Sequence, residues 1–160
     1  MAVAPGDLAF DSIRGTAYPL RDWLTSYPML MVALDPYTSE SSWILDTADD
    51  LLHHYAPADI RVAWLVAADD EGCQQFLGPL ADKYLTFADP DRTAIDGLGI
   101  ERLPSLVAVR PDLALQVSNG WVPEEWKAIA SELSTMLSWS VPLVPKPGDP
   151  LPYVGTPAEG

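Results

Sequence analysis

Cysteine, basic residues and long apolar runs are all scarce in this sequence of 160 residues. One cysteine excludes an intrachain disulfide, a cysteine zinc cluster and a C-x-x-C redox pair. Nine Lys and Arg stand against 23 Asp and Glu, a formal net charge of −14. A phosphate backbone has to be met by basic surface, so nucleic acid is excluded as a partner. Docking on anionic lipid is excluded on the same ground. The acidic residues are dispersed, without a run of five, and read as solvated faces. The longest apolar runs, 29–34 and 62–68, fall far short of a membrane span. Residues 1–10 (MAVAPGDLAF) carry neither a basic start nor an apolar core, so no secretory signal is read there and a cytoplasmic protein is expected.

What is present suits one ordinary domain. Hydrophobic residues make up 48% and charged residues 20%, the balance of a chain that buries a single core. Residues 28–34 (PMLMVAL) and 61–68 (RVAWLVAA) read as buried strands, apolar on both faces as central parallel strands are. Residues 41–55 form an amphipathic helix, with Ile44, Leu45, Ala48, Leu51, Leu52 and Tyr55 on one side. Residues 71–84 read as a helix and 85–88 as a short strand. Asp89-Pro90 then supplies a cap and a first-turn proline for a short helix ending near Gly97. Residues 105–110 and 114–118 are strands joined at Pro111-Asp112. A last helix opens at Pro123, with Trp126, Ile129, Ala130, Leu133, Met136 and Leu137 as its expected buried face. The alternation predicts an α/β protein with a central mixed sheet flanked by helices. Six of the 16 prolines fall in residues 140–160, where proline removes amide donors and fixes φ. The expected organisation is a domain over 1–138 and an extended proline-rich tail over 139–160, free or laid along the domain, with Tyr153 among its apolar residues.

Several residues carry a family resemblance. Residues 98–107 (LGIERLPSLV) resemble the thioredoxin stretch in which Gly-Ile or Gly-Val precedes a cis-proline, a Ser or Thr and a buried strand. Asn119-Gly120-Trp121 and the last helix stand where thioredoxins carry a glycine and their final helix. Residues 13–23 (IRGTAYPLRDW) and 87–92 (FADPDR) are similar to the AhpC/TSA and TlpA-like branch, the first to its opening hairpin, the second to its inserted strand and helix. The resemblance covers roughly 8–137 and implies a thioredoxin-like fold. In that family the redox cysteines lie between the first core strand and the next helix, where the helix N-terminus favours the thiolate. Here the junction reads 35–43 (DPYTSESSW), and Thr38 and Ser41 take the places of the two cysteines. A hydroxyl is not ionised near neutrality and forms no disulfide. The resemblance also places Pro104 and Leu103 at an edge that receives extended polypeptide, with Tyr37, Trp43 and Trp121 as candidate aromatic contacts.

Other candidate chemistry is weaker. Cys73, near the start of a different helix, follows Asp69, Asp70 and Glu71, which disfavour a thiolate, so its pKa is not expected to be depressed. Ser39, Ser41 and Ser42 lie about 16 Å along the helix from His53 and His54, too far for a nucleophile–base pair. His53 and His54 follow Asp49 and Asp50 at i, i+4, which reads as surface pairing; adjacent histidines diverge by about 100° and make no metal site. No cofactor is expected.

The expected function is a redox-inactive thioredoxin-like protein that binds another protein, as an accessory factor or chaperone. Residues 21–25 (RDWLT) and 34–36 (LDP) look similar to thioredoxin-like chaperones of hydrogenase maturation, which implies a metalloenzyme small subunit or its export signal as partner. The rival is a thiol peroxidase or reductase using Cys73. A third reading is a structural subunit attached to a larger assembly through the tail.

Overall fold

The most apolar stretch of the chain lies at the centre of the sheet. Strand β4 (Met29–Leu34) is wholly buried, and in the computed structural model, which describes residues 2–160, it sits between β5 (Arg61–Val66) and β8 (Ser105–Val109). It runs parallel to β5, Met29 opposite Arg61, and antiparallel to β8, Met29 opposite Val109. Side chains alternate across a strand, so β4 feeds two cores. Leu30, Val32 and Leu34 enter one, with Trp64, Val66, Leu106 and Ala108. Met29, Met31 and Ala33 enter the other, with Leu65, Val107 and Val109. Each of the Leu, Val and Met side chains fully withdrawn from water contributes about 2 kcal/mol.

The sheet extends on both sides of this centre. β9 (Ala114–Asn119) pairs with β8, and β1 (Ala2–Val3) pairs with β9 at that edge. On the other side β6 (Leu85–Ala88) is parallel to β5, β2 (Ala9–Ser12) is antiparallel to β6, and β3 (Ala17–Pro19) closes the sheet. The order is β1-β9-β8-β4-β5-β6-β2-β3. Helix α1 (Leu20–Trp23) covers one face together with α6 (Thr93–Gly97). Helices α3 (Leu45–Tyr55), α4 (Asp70–Leu77) and α7 (Pro123–Leu137) cover the other. A separate two-stranded ladder joins β7 (Arg102–Leu103) to β10 (Thr156–Pro157) near the C-terminus.

Helix boundaries differ from the sequence expectation at three places. The helix expected over 41–55 is two, α2 (Ser39–Trp43) and α3, meeting at Ile44, where ψ is −7°. The helix expected over 71–84 is also two, α4 and α5 (Leu80–Lys83). Gly78 at φ 55° and ψ −129° stops α4, and Pro79 follows without an amide hydrogen. The Asp89-Pro90 signal is displaced by a turn. Helix α6 starts at Thr93, yet the Asp89 carboxylate still caps it, accepting from the amides of Ala94 (3.1 Å) and Ile95 (2.8 Å). On α7, Met136 is exposed and Ser134 is buried in its stead. The Ser134 hydroxyl can turn inward because Tyr55 Oη lies 2.6 Å away.

Residues 139–160 lie against the domain, irregular apart from β10 and with turns at 147–148 and 158–159. Trp139 Nε1 donates to the carbonyl of His54, and His54 Nε2 bonds the carbonyl of Ser140. Thr47 Oγ1 donates to Asp149, and Lys146 pairs with Asp50. Asp49 is taken by Lys83 and by Tyr84 Oη. The pairing expected between these aspartates and His53 and His54 therefore does not form, because lysines from other segments reach the carboxylates. Among the described residues no helix is long and apolar enough to cross a membrane, and no group of three or more His, Cys, Asp and Glu is placed to hold a metal ion.

Candidate functional site

The loop leaving β4 is organised by Asp35, whose side chain is buried. Its Oδ1 accepts from the amide of Tyr37 at 2.9 Å, and its Oδ2 from Arg92 at 2.9 Å. The Asp35 amide donates to Ser41 Oγ at 2.8 Å, and Thr38 Oγ1 donates to the Asp35 carbonyl at 3.1 Å. The hydroxyls of Thr38 and Ser41 are thus both bonded to the backbone of one residue. Neither faces a base. Ser42 Oγ likewise donates to the carbonyl of Ser39. The loop has the geometry of a helix entry, its hydroxyls bonded to backbone.

Cys73 lies elsewhere, on the buried face of α4, with 0% of its surface exposed. Its thiol is 3.6 Å from the carbonyl of Ala68. Burial pushes its pKa up from the ordinary 9.0 to about 12, and the charges of Asp70 and Asp69 push in the same direction. Burial and the neighbouring charges thus favour the neutral thiol.

Beside the loop, the Leu103–Pro104 peptide bond is cis. Pro104 joins β7 to β8, and the carbonyl of Pro104 accepts from the amide of Gly120 at 2.8 Å. The turn before it is held by Asn119, whose Oδ1 accepts from the amides of Glu101 (2.8 Å) and Arg102 (3.0 Å).

The outer edge of β7 is already occupied by the tail. β10 lies antiparallel on it, Thr156 opposite Leu103 and Pro157 opposite Arg102. The Ala158 amide donates to the carbonyl of Glu101 (3.0 Å), and Arg92 donates to the carbonyl of Ala158 (2.7 Å). Upstream, Tyr153 and Trp121 exchange both backbone hydrogen bonds, at 2.9 and 3.1 Å. Two glycines make this approach possible. A Cβ on Gly120 would stand 2.6 Å from the carbonyl oxygen of Val154, and one on Gly155 would stand 2.5 Å from that of Leu103. Both have φ near +80°, where glycine is favoured.

The aromatic candidates separate into two sets. Tyr37 and Trp43 are open to solvent, at 76% and 55% exposure. Trp121 is fully buried, donating from Nε1 to the carbonyl of Pro150 and packing edge-on to Trp126. Leu103 and Pro104 are buried as well. Of the candidate contacts, Trp121, Leu103 and Pro104 are thus buried, and tail residues pair with Trp121 and Leu103. Tyr153 links the sets, packing edge-on to Trp43 at 5.4 Å and donating from Oη to the carbonyl of Glu40 at 2.6 Å. Burial and the Glu40 charge raise the Tyr153 pKa, keeping the phenol a donor. Arg92 and Tyr153 complete the site and were not among the sequence candidates. Arg92 sits in an acidic stretch with φ 60°, and nothing in its sequence surroundings signals a partner 57 residues away.

No protein-family model and no curated protein matches the chain. Solved structures do. The dsbF protein of MTB superposes with a TM-score of 0.64 at 14% identity, over 84% of this chain and 97% of that one. Peroxiredoxin Q of Xanthomonas campestris gives 0.64 at 12% identity, over 84% and 96%. A hypothetical protein from Sinorhizobium meliloti gives 0.67 at 11% identity, over 99% and 94%. The chain therefore has the thioredoxin-like fold, a mixed sheet between helices, as the resemblance implied.

Proposed function

We propose that this thioredoxin-like chain does no dithiol chemistry and instead holds an extended polypeptide segment of a partner protein, as an accessory factor or chaperone. One observation carries the reading: the edge beside Pro104 already receives an extended chain, since residues 156–157 add to β7 as an antiparallel strand. Strand addition takes its affinity from main-chain hydrogen bonds and its selectivity from alternate side chains. The chemistry of the loop supports the same view, because Thr38 and Ser41 are committed to Asp35 and Cys73 is buried. Some neighbours in structure are disulfide oxidoreductases or peroxiredoxins, and their redox chemistry would need a thiol this loop lacks.

A hydrogenase-type partner adds an identity that no feature of the site favours. Arg21, within the stretch that suggested it, is used in pairing with Asp7. Attachment through a free tail also has less support, since the tail's backbone is bonded to its own domain. The cytoplasm remains our proposed compartment.

The test has two arms. Insulin reduction and peroxide consumption are measured for the protein and for Cys73→Ser, and background turnover is expected from both. Turnover that vanishes with Cys73→Ser would make the protein an enzyme and end this reading. Selection from a displayed peptide library is expected to yield extended ligands whose binding weakens about fivefold in Trp43→Ala, the scale of one aromatic contact. A selection that returns no ligand counts equally against it.

A further inference from the structure

The last turn of the tail contacts the domain as a bound peptide does. Its side chains alternate: Tyr153 packs on Trp43, Val154 points to solvent, Gly155 lies on the backbone of Leu103, and Ala158 is buried. Leu151 and Val154 are mostly exposed, at 86% and 73%, and Val154 meets the domain through its backbone, its carbonyl lying against Gly120. The tail's main chain bonds the backbone of Trp121 and Glu101 and the guanidinium of Arg92, and two tail side chains add to it, Tyr153 Oη donating to the carbonyl of Glu40 and Thr156 Oγ1 to that of Leu103. No feature of this interface requires that its occupant belong to the same chain. The surface beneath it, with Leu103 and Trp121 uncovered, would run on into Trp43, which is open to solvent already. Arg92 ties the two parts, holding Asp35 of the loop with one nitrogen and the carbonyl of Ala158 with another.

We propose that the surface beneath residues 153–158 is the docking site for an extended segment of a partner protein that carries the tail's own pattern, an aromatic residue, glycine two positions later and a small apolar residue three beyond that, with the tail as its resident competitor. This rests on the reading of the chain as a polypeptide binder and gives it a ligand pattern and a gate. The aromatic residue fills the step between Trp43 and the backbone of Trp121. Glycine is required where a Cβ would meet the Leu103 carbonyl. The small residue takes the place of Ala158, its carbonyl facing Arg92. A tethered segment competes at an effective concentration of about a millimolar, so an external ligand sees only the fraction of molecules whose tail is off.

The probe is a labelled synthetic peptide of residues 150–160, titrated into the full chain and into two variants that loosen the resident tail. Gly155→Val cannot seat against Leu103, and Tyr153→Ala removes the anchor without touching the backbone, so either variant alone suffices. Hydrogen exchange is expected to show the Trp121 amide losing protection in both while the amides of β4 keep theirs. The probe is expected to bind the variants at least about tenfold more tightly than the wild type, and a probe with Tyr153→Ala is expected to lose that gain. Equal binding by wild type and variants would remove the tail as competitor. Failure of the probe on variants whose tail is shown to be off would overturn the ligand pattern, although a library could still return other ligands and leave the broader reading standing. A variant that dimerises and excludes the probe would make a second copy the occupant and overturn the partner assignment.

Discussion

Asp35 and Cys73 show how single positions decide the chemistry. Asp35 spends its carboxylate on Arg92 and Tyr37 and its backbone on Ser41 and Thr38. The hydroxyls of Thr38 and Ser41 thus serve the loop's structure. Cys73 is withdrawn from water, and the neutral thiol is the form its site prefers. A thiol-specific disulfide reagent at pH 8 is expected to label the folded protein about a thousandfold more slowly than the unfolded chain, as a shift from 9.0 to about 12 implies. Comparable rates would place the thiol at the surface. The same shift has a sign for stability. The folded state holds a proton that the unfolded chain gives up above pH 9.0, so this contribution is intact below that pH and is lost as pH rises towards about 12. In Cys73→Ala the fall of unfolding free energy with pH in that window is expected to be shallower by about 1.4 kcal/mol per pH unit; a parallel slope would contradict the burial argument.

At the scale of elements, helix breaks are where local signals and packing meet. Gly78 and Pro79 divide a stretch whose apolar spacing alone reads as one helix. The break turns α5 so that Ala81 is buried and its carbonyl accepts from Thr86 Oγ1. A Cβ at Gly78 would touch nothing within 4 Å, so Gly78→Ala isolates the backbone cost of its positive φ. That cost is expected to be about 1–2 kcal/mol by urea denaturation, and an unchanged midpoint would mean the turn can relax. The tail is an element of another kind. With proline at six of its positions it makes neither helix nor central strand, yet two residues suffice for a ladder on β7.

For the molecule as a whole, charge and core act in opposition. The sheet carries apolar residues on both faces, and helices cover each. Around this core lies a net charge of −14 with six ion pairs among the described residues. Self-repulsion of that size outweighs a few exposed pairs. Raising NaCl from about 10 to 300 mM shortens the Debye length from about 30 to 6 Å and is expected to raise Tm by about 3 °C. A fall in Tm would show that the ion pairs dominate.

Much of this architecture is legible in the sequence because short-range physics writes it there. Doubly apolar runs mark β4 and β5, the turn at Pro111-Asp112 marks β8 and β9, the period of α7 marks its buried face as far as Leu133, and the run through Pro104 carries the fold resemblance. A count of one cysteine leaves no cysteine pair within this sequence. What only tertiary structure decided involves partners distant in sequence. Arg92 finds Asp35, Lys146 displaces histidine at Asp50, and residues 153–158 cover the edge at Leu103, which the sequence left open between contact surface and core. Hydrophobic periodicity records which face of an element avoids water, but it does not record which other segment covers that face. For this chain that second question determines whether the edge beside Pro104 is open, and its answer lies in two glycines and a tyrosine that meet it only in the folded state.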